Sequence, residues 1–219
     1  MMKSRILTFV LLGLMVGACS RLEEPTVSWQ LAVVRGDIEQ VERHIHWETD
    51  INIPFPNGRY PLHEAAAKGR VIMLKLLLEN DAQLDVEDTE GRTPLELAVL
   101  NGRTQAASVL LRANAQLDAS KVLLVAARKN VEDRDVVRFL KEQGADFEVA
   151  DEQGNTPLML AVSQKNHRLT HHLVEQGADV NATNQVGKTP LALAEEVGAT
   201  ELILFLQRNG GVRSQAPGQ

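Results

Sequence analysis

The stretch Thr156-Pro157-Leu158-Met159-Leu160-Ala161, followed by an apolar helical pattern and then Glu175-Gln176-Gly177-Ala178-Asp179-Val180-Asn181, decides how this chain folds. Its opening recurs 33 residues later as Thr189-Pro190-Leu191-Ala192-Leu193-Ala194, and earlier in the chain as Thr93-Pro94-Leu95-Glu96-Leu97-Ala98. A further copy, Tyr60-Pro61-Leu62-His63-Glu64-Ala65, precedes that one by another 33 residues. A fixed period of this size marks a supersecondary unit that cannot bury its apolar face alone and is stabilised by stacking on its neighbours.

Each part of the unit has a physical reason. Thr93, Thr156 and Thr189 can cap a helix N-terminus. Pro94, Pro157 and Pro190 suit the first helical position, where a missing N–H and a fixed φ do no harm. Gly69, Gly102 and Gly198 break the chain before a second helix. In the first copy that helix carries Val71, Leu74, Leu77 and Leu78 at helical spacing. Gly144 and Gly177 stand where a left-handed cap ends it. Asp81 and Asn114 hold the same place in earlier copies, and Asp and Asn tolerate that conformation best among side-chain-bearing residues. Between copies, Asp88-Thr89-Glu90-Gly91-Arg92, Asp151-Glu152-Gln153-Gly154-Asn155 and Asn184-Gln185-Val186-Gly187-Lys188 read as glycine-containing turns.

On these residues, with Tyr60-Pro61-Leu62-His63-Glu64-Ala65-Ala66 and the Gly-Ala-Asp-Val-Asn ending, the chain resembles the ankyrin-repeat proteins over residues 28 to 211. The resemblance implies an all-α solenoid of antiparallel helix pairs with short hairpin fingers, about six pairs including caps. It implies a linking role for His63, whose counterpart in the family joins neighbouring repeats by hydrogen bonds. It also implies a concave, partner-contacting face of fingers and first helices. Carried over position by position, that face includes Asn57, Arg59, Lys68, Glu90, Arg92, Asn101, Arg128, Lys129, Glu152, Asn155, Gln164 and Lys188.

Two regions depart from the pattern. Trp29 to Asn52 has two helical segments without the Thr-Pro-Leu start, as an N-terminal capping repeat should. From Pro94 to Pro157 is 63 residues, with Lys121-Val122-Leu123-Leu124-Val125-Ala126-Ala127 where a start is expected. Aligning Ala126 with Ala98 and Ala161 gives spacings of 28 and 35. The copy at 119–150 has therefore lost about five residues from its finger and gained two near Glu132-Asp133-Arg134. Degeneration under weak constraint and a shape made for a partner both explain such a notch. The last copy turns polar at Glu195, Glu196, Thr200, Glu201, Gln207 and Arg208, as a C-terminal cap should, and residues 212–219 read as a tail.

Residues 1–18 read as an export signal, with Lys3 and Arg5 before the apolar run Ile6 to Val16. Val16-Gly17-Ala18-Cys19-Ser20 resembles the bacterial lipobox, although the family favours Leu where Val16 stands. That resemblance implies lipidation at Cys19, a tether over 19–27, and, from Ser20, the periplasmic leaflet of the outer membrane. Two or three acyl chains hold a protein stably where one binds only marginally. Plain secretion with a free thiol is the alternative. Cys19 is the chain's single cysteine, so no intramolecular disulfide forms.

The formal charge is −6, and loss of Lys3 and Arg5 with the signal makes it −8, a balance that argues against nucleic acid as a partner. Only 4% of residues are aromatic, which a stack without a thick core tolerates. The sequence carries no P-loop, Gly-x-Gly-x-x-Gly, His-Glu-x-x-His or Gly-x-Ser-x-Gly pattern, so no cofactor is expected. His167 and His171, at i and i+4 beside His172, are the candidate metal pair, although no cysteine accompanies them and Glu175 is the nearest carboxylate. His44 and His46 read as solvated or capping positions. The expected function is non-enzymatic binding of another protein by a lipid-anchored module: a scaffold, adaptor or inhibitor. Alternatives are an immunity protein against a periplasm-delivered toxin, a metal-handling protein, or a structural envelope protein.

Overall fold

The structure, a computed structural model, describes residues 23–213; Cys19 and the expected signal segment lie outside the described residues. The described residues form twelve helices and no strand. They are α1 (Trp29–Arg35), α2 (Ile38–His46), α3 (Pro61–Ala67), α4 (Val71–Glu79), α5 (Pro94–Leu100), α6 (Thr104–Arg112), α7 (Ala119–Arg128), α8 (Arg134–Glu142), α9 (Pro157–Ser163), α10 (His167–Glu175), α11 (Pro190–Glu196) and α12 (Thr200–Arg208). Odd-numbered helices pack on one another in one layer, and even-numbered helices in a second. This is the expected solenoid of helix pairs. No helix among the described residues is long and apolar enough to cross a membrane.

The Thr-Pro-Leu starts work as their chemistry predicts. The hydroxyls of Thr93, Thr156 and Thr189 accept the backbone N–H of Glu96, Met159 and Ala192, and the following prolines occupy the first turn. The core runs the length of the stack as one apolar cluster, in which Ala65, Ala98, Ala161 and Ala194 keep the first helices close to Leu74, Leu110, Leu173 and Leu206 on the second helices. Asp81 and Asn114 adopt φ of 63° and 70°, matching Gly144 and Gly177 at 81° and 101°. The left-handed turn between paired helices is more surprising. Gly36, Gly69, Gly102 and Gly198 supply it in four repeats, whereas Asn130 adopts it at φ 59° in the shortened copy and Lys165 at φ 57° in the copy that begins at Thr156.

A second ladder joins successive repeats at the turns after the even helices. Asn52 accepts the N–H of Gln83 at 2.8 Å, Asp85 that of Gln116 at 3.1 Å, Glu148 that of Asp179 at 2.8 Å, and Asn181 that of Val212 at 2.8 Å. These bonds secure backbone donors that would otherwise compete for water at each junction. In the shortened copy the corresponding donor, Asp146 N–H, bonds instead to the Ser120 hydroxyl at 2.9 Å.

The shortened repeat keeps its place in the stack. The shift of 28 residues maps Pro94 onto Val122, yet α7 begins at Ala119, with the Asp118 carboxylate accepting the Lys121 N–H. The missing finger is thus replaced by almost one further helical turn: α7 has 10 residues where α5 and α9 have 7. Ala119, Val122, Leu123 and Ala127 continue the core without interruption. The two inserted residues lengthen the α7–α8 connection over 129–133.

One substitution checks the turn chemistry. Lys165 holds a left-handed conformation that disfavours any side chain by about 1–2 kcal/mol, partly offset by the unfolded-state entropy that glycine adds. Lys165→Gly is expected to raise the thermal midpoint by about 1–3 °C in a melting experiment.

Candidate functional site

The finger hairpins are built by single side chains. Asp88 Oδ1 accepts the N–H groups of Glu90 and Arg92, Asp151 Oδ1 those of Gln153 and Asn155, and Asn184 Oδ1 those of Val186 and Lys188. The tips are pinned from below, and so the residues they display are positioned. Neighbouring fingers are also linked: Asn184 donates to Asn155 Oδ1 at 2.9 Å, and Gln185 donates its side-chain amide to the Glu152 carbonyl at 2.9 Å.

His63 joins this system from the helix side. Its Nδ1 accepts the Tyr60 N–H at 3.2 Å and its Nε2 donates to the Arg92 carbonyl at 2.8 Å, so the ring is neutral and ties α3 to the next finger. Burial lowers its pKa below 6.5, against the opposing pull of the Arg92 carbonyl and Asp88. Burial pushes the Asp88 carboxyl up, but the hydrogen bonds from Arg92 and Glu90 outweigh it and hold the pKa below its ordinary value. Asp151 is held down in the same way by Asn155, Gln153 and Arg128 against burial.

The proposed contact residues form two rows. Asn57, Arg59, Glu90, Arg92, Glu152, Asn155 and Lys188 stand on the fingers. Lys68, Asn101, Arg128, Lys129 and Gln164 stand at the C-terminal ends of the first helices. Seven helical residues, about 10 Å, separate the rows within a regular repeat. Several members of the second row already serve the scaffold. Asn101 donates to the Leu97 carbonyl at 2.7 Å, Gln164 to the Ala127 carbonyl at 2.9 Å, and Lys68 to the Val34 carbonyl at 3.0 Å. The rows meet at the shortened repeat, where Lys129 Nζ lies 3.2 Å from the Glu90 carboxylate.

Beneath the face lies a set of buried carboxylates that sequence reasoning did not identify. Glu64, Asp88, Glu96 and Asp151 are almost inaccessible, and each holds a more exposed cation: Arg59 and Lys68 over Glu64, Arg92 over Asp88, Lys121 over Glu96, and Arg128 over Asp151. Lys121 was likewise missed as a face residue. Glu96 stands where His63 stands in the preceding copy, and Glu64 one residue further along its own helix.

Between the Glu90–Arg92 finger, α5 and α7 the missing finger leaves a cleft of about 170 Å³, lined by Glu90, Arg92, Glu96, Leu100, Lys121, Val122, Val125 and Lys129. The histidine group behaves differently. His167 Nδ1 lies 3.2 Å from Glu201, and the His171 ring stacks on Phe205 at 3.7 Å. No group of three or more His, Cys, Asp or Glu among the described residues is arranged to hold a metal ion. His44 corrects its sequence reading: it is buried, with one ring nitrogen 2.8 Å from the Val27 carbonyl and the other 3.0 Å from the Thr49 hydroxyl. The segment entering α1 covers it. His46 is exposed.

The model of ankyrin repeats in groups of three copies matches residues 29–121 and again 123–215. The chain belongs to the ankyrin-repeat family. Among solved structures, the ankyrin repeat domain of Bcl-3 is 27% identical, covers 87% of this chain and 89% of its own, and superposes with a TM-score of 0.71. The human ASB11 ankyrin repeat domain is 28% identical with a TM-score of 0.69, covering 86% of this chain and 87% of its own. The complex of the predatory endopeptidase Bd0816 from Bdellovibrio bacteriovorus with the immunity protein Bd3460 shares the fold at 24% identity and a TM-score of 0.67, covering 81% of this chain and 95% of that one. No curated protein matches the chain. Ankyrin repeats bind other proteins, and the face described here has the fingers and first helices through which such a stack presents side chains.

Three measurements check the site chemistry. Removing the imidazole in His63→Ala leaves the Arg92 carbonyl and Tyr60 N–H unpartnered, an expected loss of about 2–4 kcal/mol in urea unfolding. Because its folded pKa is lowered, the unfolded chain binds a proton below pH 6.5 that the folded protein refuses. Stability therefore falls as pH drops through that range, and His63→Gln should lose less between pH 7 and pH 5 than the parent. Calorimetric titration with zinc is expected to show no stoichiometric heat at His167 and His171.

Proposed function

We propose that this ankyrin stack is a non-enzymatic protein-binding module, held by lipid on Cys19 at the periplasmic face of the Gram-negative outer membrane and acting as scaffold, adaptor or inhibitor. The observation that carries the binding reading is the finger and first-helix face, where buried carboxylates fix half-exposed cations on a rigid stack. Side chains already ordered lose little freedom when a partner arrives. The lipobox-like Val16 to Ser20 supports the anchor, and the polar residues 20–26 would let the stack sit close to the bilayer.

A narrower reading is an immunity protein that neutralises a toxin delivered to the periplasm. The solved complex of an endopeptidase with the immunity protein Bd3460, which shares this fold at 24% identity, supports that reading. Tight inhibitors commonly use arginine anchors. Arg92 is locked between Asp88 and Glu90 and 13% exposed, whereas Arg128 is 50% exposed over Asp151, so Arg128 is the arginine best placed to serve.

Photo-crosslinking residues placed at Asn57, Asn101 or Glu152 are expected to trap one discrete envelope protein, while placement at Lys75 or Arg208 traps none. Equal capture from both sets contradicts the face. Cys19→Ser should release the protein into the soluble periplasmic fraction, and undiminished membrane fractionation contradicts the anchor. Sensitivity of a deletion strain to a neighbouring strain separates immunity from general adaptor function.

A further inference from the structure

The cleft at the shortened repeat differs from the rest of the face in both floor and rim. Its floor is apolar, formed by Leu100 of α5 with Val122 and Val125 of α7. At about 170 Å³ it is smaller than the roughly 300–1,000 Å³ of pockets that hold small-molecule ligands, and it suits a single side chain. It exists because the finger that would cover it in a regular repeat is missing, which leaves Lys121 of the extra turn of α7 open to a partner.

The rim carries Lys121 and Lys129, 59% and 45% exposed. Of the carboxylates that pair with them, Glu96 is sunk below the surface at 11% and Glu90 stands exposed at 55%. Residues 119–130 contain no Asp or Glu. With Arg92, the lining sets three cations against two carboxylates, one of them buried, in a chain of net charge −6. That balance attracts an incoming carboxylate, which steers docking and fixes register.

We infer that the cleft receives one apolar side chain from an extended segment of the partner protein, and that an Asp or Glu beside it docks between Lys121 and Lys129. This rests on the protein-binding reading of the same face and assigns its anchor point.

The test is selection of displayed random twelve-residue peptides on the parent protein, followed by affinity measurement on variants. Enriched peptides are expected to share an apolar residue next to Asp or Glu. Their affinity should fall at least tenfold in Val125→Lys and in the double variant Lys121→Gln/Lys129→Gln, and stay within threefold in Lys75→Gln, on the opposite helix layer. The double variant leaves every core residue in place and carries the test if Val125→Lys melts early. Enriched peptides without acidic residues, or with unchanged affinity for both variants, overturn the cleft assignment. If those peptides instead lose affinity in Arg59→Gln or Lys188→Gln, the binding face stands and the anchor point falls. A library that enriches no peptide overturns both.

Discussion

No helix pair in this molecule can bury its own apolar residues. Leu62, Leu74 and Leu77 of one repeat, or Leu158, Leu169 and Leu173 of another, lose contact with water only because a neighbouring pair lies over them. Everything else follows from that constraint. Alanines at the crossings let helices approach, the His63 imidazole and the Asn52, Asp85, Glu148 and Asn181 side chains fix the spacing, and the finger turns close what remains. Stability in such an array is a sum over neighbours, so a defect in one repeat is felt first at its own interfaces.

That is why the shortened repeat matters. A stack can lose a finger without losing a helix, because the fingers lie outside the apolar layers. Here the loss is absorbed by lengthening α7, whose inward residues Ala119, Val122, Leu123 and Ala127 keep the core continuous. What changes is the surface. The finger row and the helix-end row meet across Lys129 and Glu90, and an apolar floor is exposed between them.

Much of this was legible in the residues. Thr-Pro-Leu spacing announced the helices, Asp81 and Asn114 announced their left-handed turns, and the spacings around Ala126 located the missing finger. Other features left no local mark. Asn130 and Lys165 occupy left-handed turns that their repeats supply elsewhere with glycine, and only the tertiary frame imposes that conformation on a lysine. Nothing local marks Glu64, Asp88, Glu96 and Asp151 as buried, and the cations over Glu96 and Asp151, Lys121 and Arg128, come from the neighbouring shortened repeat. His44 is hidden by the Val27 segment, a contact between residues 17 apart that periodicity does not encode.

The account makes the missing finger the source of function, and this is open to direct reversal. Inserting the following repeat's Asp151-Glu152-Gln153-Gly154-Asn155 sequence between Asp118 and Ala119 should restore a regular finger over the cleft. Crosslinking in the intact envelope then decides the matter. The account predicts a folded protein with an unchanged melting profile that no longer captures its partner, and undiminished capture by that variant would contradict it.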